Sequence, residues 1–210
     1  MTILEAIASF FGVACVWLVV RRNHWSWPVG LIQVILTAIV LWDAKLYAET
    51  GLQVVFAFLQ FYGWYEWLTA PIVGDEESPH RNRIDLLGEG AKIKVERLTN
   101  GNLLLSVLMS LVMTLVFASL LISFTDAKAP IVDSLLASAS LVAQYLLARR
   151  YLENWVYWIL IDIVSIPLFA SRSLYWFSGL YVVFLILAIQ GFLSWRQWAG
   201  SADEQVEAAR

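Results

Sequence analysis

The sequence has little charge and almost no cysteine. Only 15% of its 210 residues are charged, against about 25% in an ordinary soluble domain, while 60% are hydrophobic. This excess of apolar side chains is larger than a water-soluble core of this size needs, and it excludes a disordered chain and a typical cytosolic enzyme. The single cysteine, Cys15, excludes an intrachain disulfide and therefore a disulfide-stapled secreted domain.

The sequence also lacks the motifs of several functional classes. It contains no phosphate-binding loop, no metal-ligand signature and no nucleophile elbow, so we predict no enzyme activity, no metal and no cofactor. Its net charge of −3 provides no basic field for nucleic acid. The last apolar run contains no lysine, which excludes a retinal Schiff base. The lipid bilayer is therefore the expected surrounding of the apolar surface.

Long apolar runs fill most of the chain, and a helix needs about 20 residues to cross a bilayer core. We predict an all-α integral membrane fold with seven transmembrane helices. Their predicted bounds are Ile3–Val20, Trp25–Leu41, Leu46–Trp67, Leu103–Phe124, Pro130–Ala148, Asn154–Phe169 and Leu174–Trp195. The first run lacks a basic flank and carries Glu5, so we do not expect it to be a cleaved signal peptide.

Positive charge is concentrated on one side of the predicted spans. Of the 14 Lys and Arg residues, three (Lys45, Lys128 and Arg172) fall on one side and eleven (14 − 3) on the side of the Arg21-Arg22 turn. Cytoplasmic loops of membrane proteins carry the excess of Lys and Arg. We therefore predict an inner (plasma) membrane protein with its N-terminus outside and its C-terminus in the cytoplasm.

The second half of the chain repeats the first at an offset of 128 residues, as Trp27 and Trp155 illustrate (155 − 27 = 128). The Arg21-Arg22 pair recurs as Arg149-Arg150, and 16 of the 65 pairs between residues 3–67 and 131–195 are identical. Each repeat holds three spans, and the fourth span between them restores the orientation of the second copy. We therefore predict a 3+1+3 arrangement of two parallel three-helix repeats. Transporters built from parallel repeats bind substrate near the middle of the membrane.

The predicted repeats and the segments between them divide the chain into five parts. These are the first repeat at residues 1–67, a cytoplasmic connector at 68–102, a linker helix at 103–129, the second repeat at 130–195 and a cytoplasmic tail at 196–210.

Polar side chains inside apolar spans are costly, so they mark candidate functional positions. Asp162 is the clearest case, because it lies at the centre of the sixth span with no Lys or Arg at matching depth. Asn154, Trp158 and Asp162 are four residues apart and share one helix face. An aromatic face beside a carboxylate suits a flat organic cation. A structural hydrogen bond and a proton-coupling role are the alternatives for Asp162.

Polar stripes on other spans supply the remaining candidates for substrate binding. These are five amide or hydroxyl side chains: Gln33, Gln53, Gln60, Ser140 and Gln144. Trp155, which follows Asn154 on the sixth span, is a further candidate. For Gln33 and Gln144, hydrogen bonding between helices is an equally good interpretation. Glu5 and Asp133 lie near the outer ends of their spans, and we interpret both as solvated caps.

Several stretches resemble the PnuC vitamin transporter family. They include Trp27-Pro28-Val29-Gly30-Leu31-Ile32-Gln33, Tyr62-Gly63-Trp64-Tyr65-Glu66-Trp67 and Arg149-Arg150-Tyr151-Leu152-Glu153-Asn154-Trp155-Val156-Tyr157-Trp158. The resemblance covers nearly the whole chain except the connector and the tail. It implies a fold similar to a full-length SWEET transporter and a central site to which the Glu-Asn-Trp-x-x-Trp stretch contributes. It also implies facilitated diffusion of nicotinamide riboside, which a cytoplasmic kinase traps by phosphorylation.

The residues and the resemblance together predict an inner-membrane uniporter for nicotinamide riboside. The alternatives are a transporter of thiamine, which is also a flat cation, or of another dephosphorylated vitamin or nucleoside of the same family, such as riboflavin. A seven-helix receptor is a further alternative from a different class. The expected partners are the small-molecule substrate, the lipid bilayer and a kinase that requires no physical contact, and the sequence leaves homo-oligomer formation open.

Overall fold

The computed structural model describes residues 3–43, 45, 47–70, 94–125 and 129–208, and these form seven helices. The helices are α1 (Ile3–Val20), α2 (Ser26–Asp43), α3 (Tyr47–Thr69), α4 (Asn100–Phe124), α5 (Pro130–Ala148), α6 (Asn154–Ser171) and α7 (Tyr175–Ala208). Their bounds agree with the predicted spans to within a few residues, except at the end of α7. There the helix continues far beyond Trp195, through most of the predicted tail. Residues 71–93 of the predicted connector lie outside the described residues.

Six of the seven helices in the described ranges are long and apolar enough to cross a membrane. The exception is α3, which carries Glu49, Glu66 and several Gln and Tyr residues. Large apolar side chains cover the outside of the molecule, and α4 buries only Ser110, Thr114 and Ala118. Exposed apolar surface of this extent is unfavourable in water and favourable in lipid, which agrees with the predicted membrane fold.

Four tight turns contain a residue in the left-handed backbone region, with φ between 56° and 64°. These residues are Arg22, Lys45, Arg150 and Ser173. A left-handed residue just after a helix ends it, because its N–H turns back to the last carbonyl groups. Accordingly, the Arg22 N–H donates to Val19 O at 2.8 Å and the Arg150 N–H donates to Leu147 O at 2.9 Å. The two turns lie 128 residues apart (150 − 22) and have the same hydrogen bond.

The helices pack in two sets that follow the same order along the chain. α1 packs on α2 and α2 packs on α3, while α5 packs on α6 and α6 packs on α7. Between the sets, α1 contacts α7 and α3 contacts α5. The remaining helix, α4, packs on α5. The interior between the two sets is therefore bounded by α1, α7, α3 and α5.

Four buried tryptophans, here called the tryptophan core, lie where the two sets meet: Trp27, Trp67, Trp155 and Trp195. The Trp27 and Trp67 rings meet edge-on with centroids 5.4 Å apart, as do Trp155 and Trp195 at 5.5 Å. The indole N–H of Trp67 donates to Leu147 O, and that of Trp195 donates to Val19 O, each at 3.3 Å. Each bond joins the last helix of one set to the first helix of the other.

The described end of the connector is part of the folded body. Val95 is buried beside the tryptophan core. The Glu96 N–H donates to Arg150 O at 3.1 Å, and Glu96 O accepts from the Leu152 N–H at 2.9 Å. Nearby, the Leu98 N–H donates to the Glu153 carboxylate at 3.0 Å. The sequence interpretation of 68–102 as a soluble connector therefore missed that residues 94–99 dock on the α5–α6 turn.

Candidate functional site

One face of α6 carries the polar residues that the sequence singled out. Asn154, Asp162 and Ser165 are buried, with Asp162 only 3% exposed, and Trp158 is half-buried one turn from Asp162. Leu160, on the opposite side of the helix, is exposed. Residues three and four positions apart share a helix face, so the polar stripe is the inward face of α6.

An aromatic cluster on α7 lies beside this face. The Tyr181 hydroxyl is within hydrogen-bonding reach of Ser165 and within electrostatic range of the Asp162 carboxylate, which lies one turn earlier on α6. The Tyr181 ring stacks on Phe169 with centroids 5.1 Å apart and meets Phe184 edge-on at 5.9 Å. The Asp162 carboxylate therefore lies in weakly polar, aromatic surroundings, where a charge interacts more strongly with a counter-charge than it would in water.

Phe184 connects the aromatic cluster to the first set of helices. A β-carbon placed on Gly12 of α1 would lie 3.3 Å from Phe184 Cζ and 3.6 Å from Gln33 Cγ, so these three residues are neighbours. Gln33 Nε2 donates to Thr37 Oγ1 at 2.9 Å. Side chains of α2 and α7 thus meet beside the backbone of α1 at Gly12, next to the inward face of α6. We call the following residues the central site: Gln33, Thr37, Asp162, Ser165, Tyr181 and Phe184.

The other predicted polar residues lie on α3 and α5. Gln60 is buried, and its Nε2 is 2.5 Å from the position of a β-carbon on Gly30, so this amide packs against α2. Gln144 is buried, while Gln53 and Ser140 are half-buried. Their burial on spans that border the interior is compatible with substrate contact, which for these residues stays a prediction.

Trp155, which the sequence also nominated for substrate binding, lies in the tryptophan core. Its ring is fully buried and covers Gly191. Its edge-on contact with Trp195 gives the ring a packing role. Trp158, three residues further along α6, also packs against this core but is only partly buried, so it stays the aromatic candidate for a substrate contact.

Sequence reasoning missed Tyr181 and Phe184. Both occupy repeat positions of residues on the polar stripe of the third span, Gln53 and Phe56 (53 + 128 = 181 and 56 + 128 = 184). Projecting that stripe through the repeat would have nominated them. They were missed because we looked for polar side chains inside the spans. Phe is not polar, and a Tyr in a span is usually interpreted as an interface anchor.

Two serines of α5 were also missed. Ser134 and Ser138 are fully buried, and within the described residues their hydroxyl oxygens have no hydrogen-bond partner. Their spacing of four residues is the signal that places them on one face of α5. Serines are common at helix–helix contacts in membranes, which is why spacing alone did not single them out.

Asp133 lies in the first turn of α5, and the structure gives it an ion-pair partner that the sequence did not predict. It accepts hydrogen bonds from Arg172 Nη2 at 3.0 and 3.2 Å, and both side chains are about a third exposed. Exposed ion pairs contribute about 0–1 kcal/mol. We expect Asp133→Asn to change the free energy of unfolding by less than about 1 kcal/mol and to leave uptake into proteoliposomes unchanged. A loss of uptake with retained stability would instead place Asp133 in the transport path.

Comparison with known proteins identifies transporters as relatives. A family model described as nicotinamide mononucleotide transporter matches residues 2–197. The chain is 28% identical to the nicotinamide riboside transporter PnuC of Escherichia coli (strain K12), with 96% of this chain and 87% of that protein covered. It is 30% identical to the nicotinamide riboside transporter PnuC of Neisseria mucosa, covering 91% and 71%. The riboflavin/roseoflavin transporter RibM of Streptomyces davaonensis is 28% identical, covering 91% and 83%.

A solved structure shares the helical architecture. The crystal structure of the vitamin B3 transporter PnuC superposes on this chain with a TM-score of 0.74 and 29% sequence identity. The superposition covers 94% of this chain and 82% of that one. The likeness therefore extends over nearly the whole described body, including the helices that carry the central site.

Proposed function

The chain belongs to the nicotinamide mononucleotide transporter family, and on that premise we propose that it carries nicotinamide riboside across the membrane. It is a multi-pass membrane transporter and not an enzyme. Two relatives named nicotinamide riboside transporters support this substrate. The observation that carries the proposal is Asp162, a buried carboxylate that lies beside an aromatic cluster in the middle of α6.

Asp162 favours a cationic substrate because no cation balances its charge within the spans. The only Lys or Arg in the seven helices is Arg196, which follows Trp195 near the end of the apolar part of α7. The pyridinium ring of nicotinamide riboside carries a positive charge that can balance the Asp162 carboxylate. Trp158 offers the same ring an aromatic face. A phosphate group would need Arg or Lys partners instead. We therefore propose the dephosphorylated riboside, although the family is described by the mononucleotide.

Another dephosphorylated vitamin of the same family is the second candidate. Thiamine is also a flat cation and satisfies Asp162 equally well. The relative named for riboflavin and roseoflavin supports a wider range of substrates, but riboflavin is uncharged and leaves the Asp162 charge unbalanced. A seven-helix receptor is less favoured. Two similar halves around a central site are typical of transporters, which expose the site to each side of the membrane in turn.

We propose a 3+1+3 architecture, with repeats at residues 1–67 and 130–195 and a linker helix within 103–129. The same order of helix contacts in both sets supports it, as do the left-handed residues 128 positions apart and the two tryptophan bonds between the sets. We count α3 as the seventh span. Its 23 residues extend about 35 Å, enough for a bilayer core of about 30 Å, and its contacts with α2 and α5 bury Gln60.

The end of the molecule that carries Arg21, Arg22, Arg149 and Arg150 faces the cytoplasm in this proposal. The excess of Lys and Arg on that side supports this orientation. It places the N-terminus outside, and the connector and the end of α7 inside. The membrane is then the inner (plasma) membrane.

The proposed mechanism is facilitated diffusion without coupling to ATP. Substrate enters from outside, and its charged ring rests between Trp158 and the aromatic cluster beside Asp162. Hydrogen bonds from amides such as Gln33 and Gln144 hold the ribose. Asn154 was predicted for the same role, but it is fully buried and its Nδ2 donates to Tyr151 O at 2.6 Å. Rocking of the two repeats then opens the cytoplasmic end. A cytoplasmic kinase that phosphorylates the product maintains the inward gradient and needs no contact with the transporter.

The test is calorimetry on the purified protein in detergent, with nicotinamide riboside and thiamine titrated in parallel. We expect nicotinamide riboside to bind and Trp158→Ala to weaken its binding. A cation–π contact contributes about 0.5–2 kcal/mol, which corresponds to roughly a 2- to 30-fold increase in Kd.

The matched control is Trp176→Ala, which removes an exposed tryptophan at the start of α7 and should leave Kd unchanged. Binding of thiamine alone would keep the fold and mechanism and change the substrate. Binding of neither cation would contradict the proposed cationic substrate.

A further inference from the structure

The tryptophan core closes the molecule at the end that we infer to be cytoplasmic. Trp67 and Trp195 are 0% and 1% exposed, and their ring centroids are 6.1 Å apart. Rings at this spacing are in contact and leave no passage for a substrate. Release of substrate into the cytoplasm therefore requires a seam between the two sets to separate at this level.

Two seams meet at the core: the α3–α5 seam, where Trp67 donates to Leu147 O, and the α1–α7 seam, where Trp195 donates to Val19 O. The two N···O distances are both 3.3 Å. The four positions are related in pairs by the repeat offset, since 67 + 128 = 195 and 19 + 128 = 147. These tryptophan bonds alone give no reason for one seam to open before the other.

Ion pairs distinguish the seams. In the α3–α5 seam, the Glu66 carboxylate pairs with Arg149 Nη1 at 3.4 Å and with Arg150 Nη1 at 3.7 Å. Arg150 Nη1 also donates to Glu66 O at 3.0 Å. Beside them, the Tyr62 ring stacks on Tyr145 with centroids 6.2 Å apart. The Arg149 side chain is 41% exposed, so its pair with Glu66 adds little. Arg150 and Glu66 are only 12% and 19% exposed, and hydrogen bonds to charged groups are about twice as strong as neutral ones, so the Arg150–Glu66 contact is the one that holds this seam.

The α1–α7 seam lacks this carboxylate, because the repeat position of Glu66 is Ser194 (66 + 128). Arg22, the counterpart of Arg150, is 6% exposed, and within the described residues its Nη1 has no hydrogen-bond partner. Its guanidinium lies 4.1 Å from the centroid of the Trp198 ring. Burial lowers the pKa of Arg22 to about 10, so the side chain stays charged at neutral pH. An incompletely hydrogen-bonded buried charge holds a contact less firmly than a paired one.

The connector reinforces the same difference. Residues 94–99 bond to the α5–α6 turn, which carries Arg149 and Arg150, through the backbone of Glu96 and the N–H of Leu98. These bonds fix one side of the α3–α5 seam to a segment outside the helices. At the turn of Arg22, the corresponding contact is with the Trp198 ring of α7.

We propose that the cytoplasmic gate is asymmetric: the α1–α7 seam opens to release substrate, while the α3–α5 seam stays closed as the fixed side. The proposal rests on the transport function above. It adds which helix–helix contact opens and which charged residues determine that choice. It follows that a carboxylate at position 194 would give the α1–α7 seam an ion pair like the one that Glu66 forms in the α3–α5 seam.

The first experiment is uptake of nicotinamide riboside into proteoliposomes by Ser194→Glu. We expect about a tenfold loss of uptake rate, the change that one charge-assisted hydrogen bond produces, with the Kd for nicotinamide riboside unchanged. The control is Ser194→Gln, which adds the same bulk without charge and should transport at close to the wild-type rate. Uptake by Ser194→Glu at the wild-type rate would overturn the proposal.

The second experiment needs no substrate and separates failure of the gate from failure of the transport function. Spin labels at Trp25, which ends the α1–α2 turn, and at Gln197 of α7 report on the α1–α7 seam. Labels at Thr69, the last residue of α3, and at Val156, in the first turn of α6 after the α5–α6 turn, report on the α3–α5 seam. All four positions are exposed. The experiment uses the ligand-free protein with Cys15 replaced by Ala. Between the labels at Trp25 and Gln197 we expect two distances, the longer one from the open state. Between the labels at Thr69 and Val156 we expect a single distance.

The outcomes are distinct for the two proposals. A second distance at the α3–α5 pair, or at neither pair, would overturn the asymmetric gate even if nicotinamide riboside is transported. A second distance at the α1–α7 pair alone, lost in Ser194→Glu, would support the gate even if the wild-type protein transports a different vitamin.

Discussion

Gly191→Ala and Gly63→Ala should each destabilise the folded protein by about 1–3 kcal/mol, the usual cost of overfilling a packed core. A β-carbon at Gly191 would overlap the Trp155 ring, and one at Gly63 would overlap the Trp27 ring. Neither ring can retreat, because both are buried and each meets another tryptophan of the core edge-on. Thermal unfolding in detergent, followed by tryptophan fluorescence, measures the loss.

The chain provides matched controls for these two substitutions. Gly51 and Gly179 lie on the same helices and are related by the same offset of 128 residues (179 − 51), but a β-carbon at either has no other atom within 4 Å. Alanine favours a helix over glycine by about 0.5–1 kcal/mol. We expect Gly51→Ala and Gly179→Ala to be neutral or stabilising. Equal losses at all four positions would show that helix backbone effects, and not the tryptophan contacts, set the stability.

The helices were predictable because their signals are local. Apolar runs of the right length and short polar breaks define a span without reference to the rest of the fold. The docking of residues 94–99 was not predictable in this way, because Glu96 pairs with a turn more than fifty residues away (150 − 96 = 54). The continuation of α7 to Ala208 was missed because a polar segment after a span gives no hydrophobic periodicity to read.

The candidate site was predictable only in part, for a related reason. The spacing of Asn154, Trp158 and Asp162 defines one face of one helix, and that face is buried in the structure. Which helices stand opposite is a tertiary property, so Tyr181 and Phe184 could be found only through the repeat. The Glu66 ion pairs likewise depend on the α3–α5 contact, and no short-range pattern predicts them.

Asp162→Asn should cause a large loss of affinity for nicotinamide riboside. Removing one member of a buried charge pair costs about 2–5 kcal/mol, which predicts at least about a 30-fold increase in Kd. Asn has nearly the size of Asp and needs no counter-charge, so the substitution should not lower the thermal stability of the ligand-free protein. Calorimetry with wild type and variant measures the change in Kd.

The decisive comparison uses a ligand of the same shape without the charge. The reduced, dihydropyridine form of nicotinamide riboside is neutral, so Asp162 gives it no ion-pair energy. If Asp162 recognises charge, Asp162→Asn weakens binding of the oxidised cation and leaves binding of the reduced form nearly unchanged. Equal losses for both forms would mean that Asp162 positions its neighbours Ser165 and Tyr181 and does not bind the cation. Charge recognition would then have to be assigned to aromatic faces such as that of Trp158, which also attract a cation.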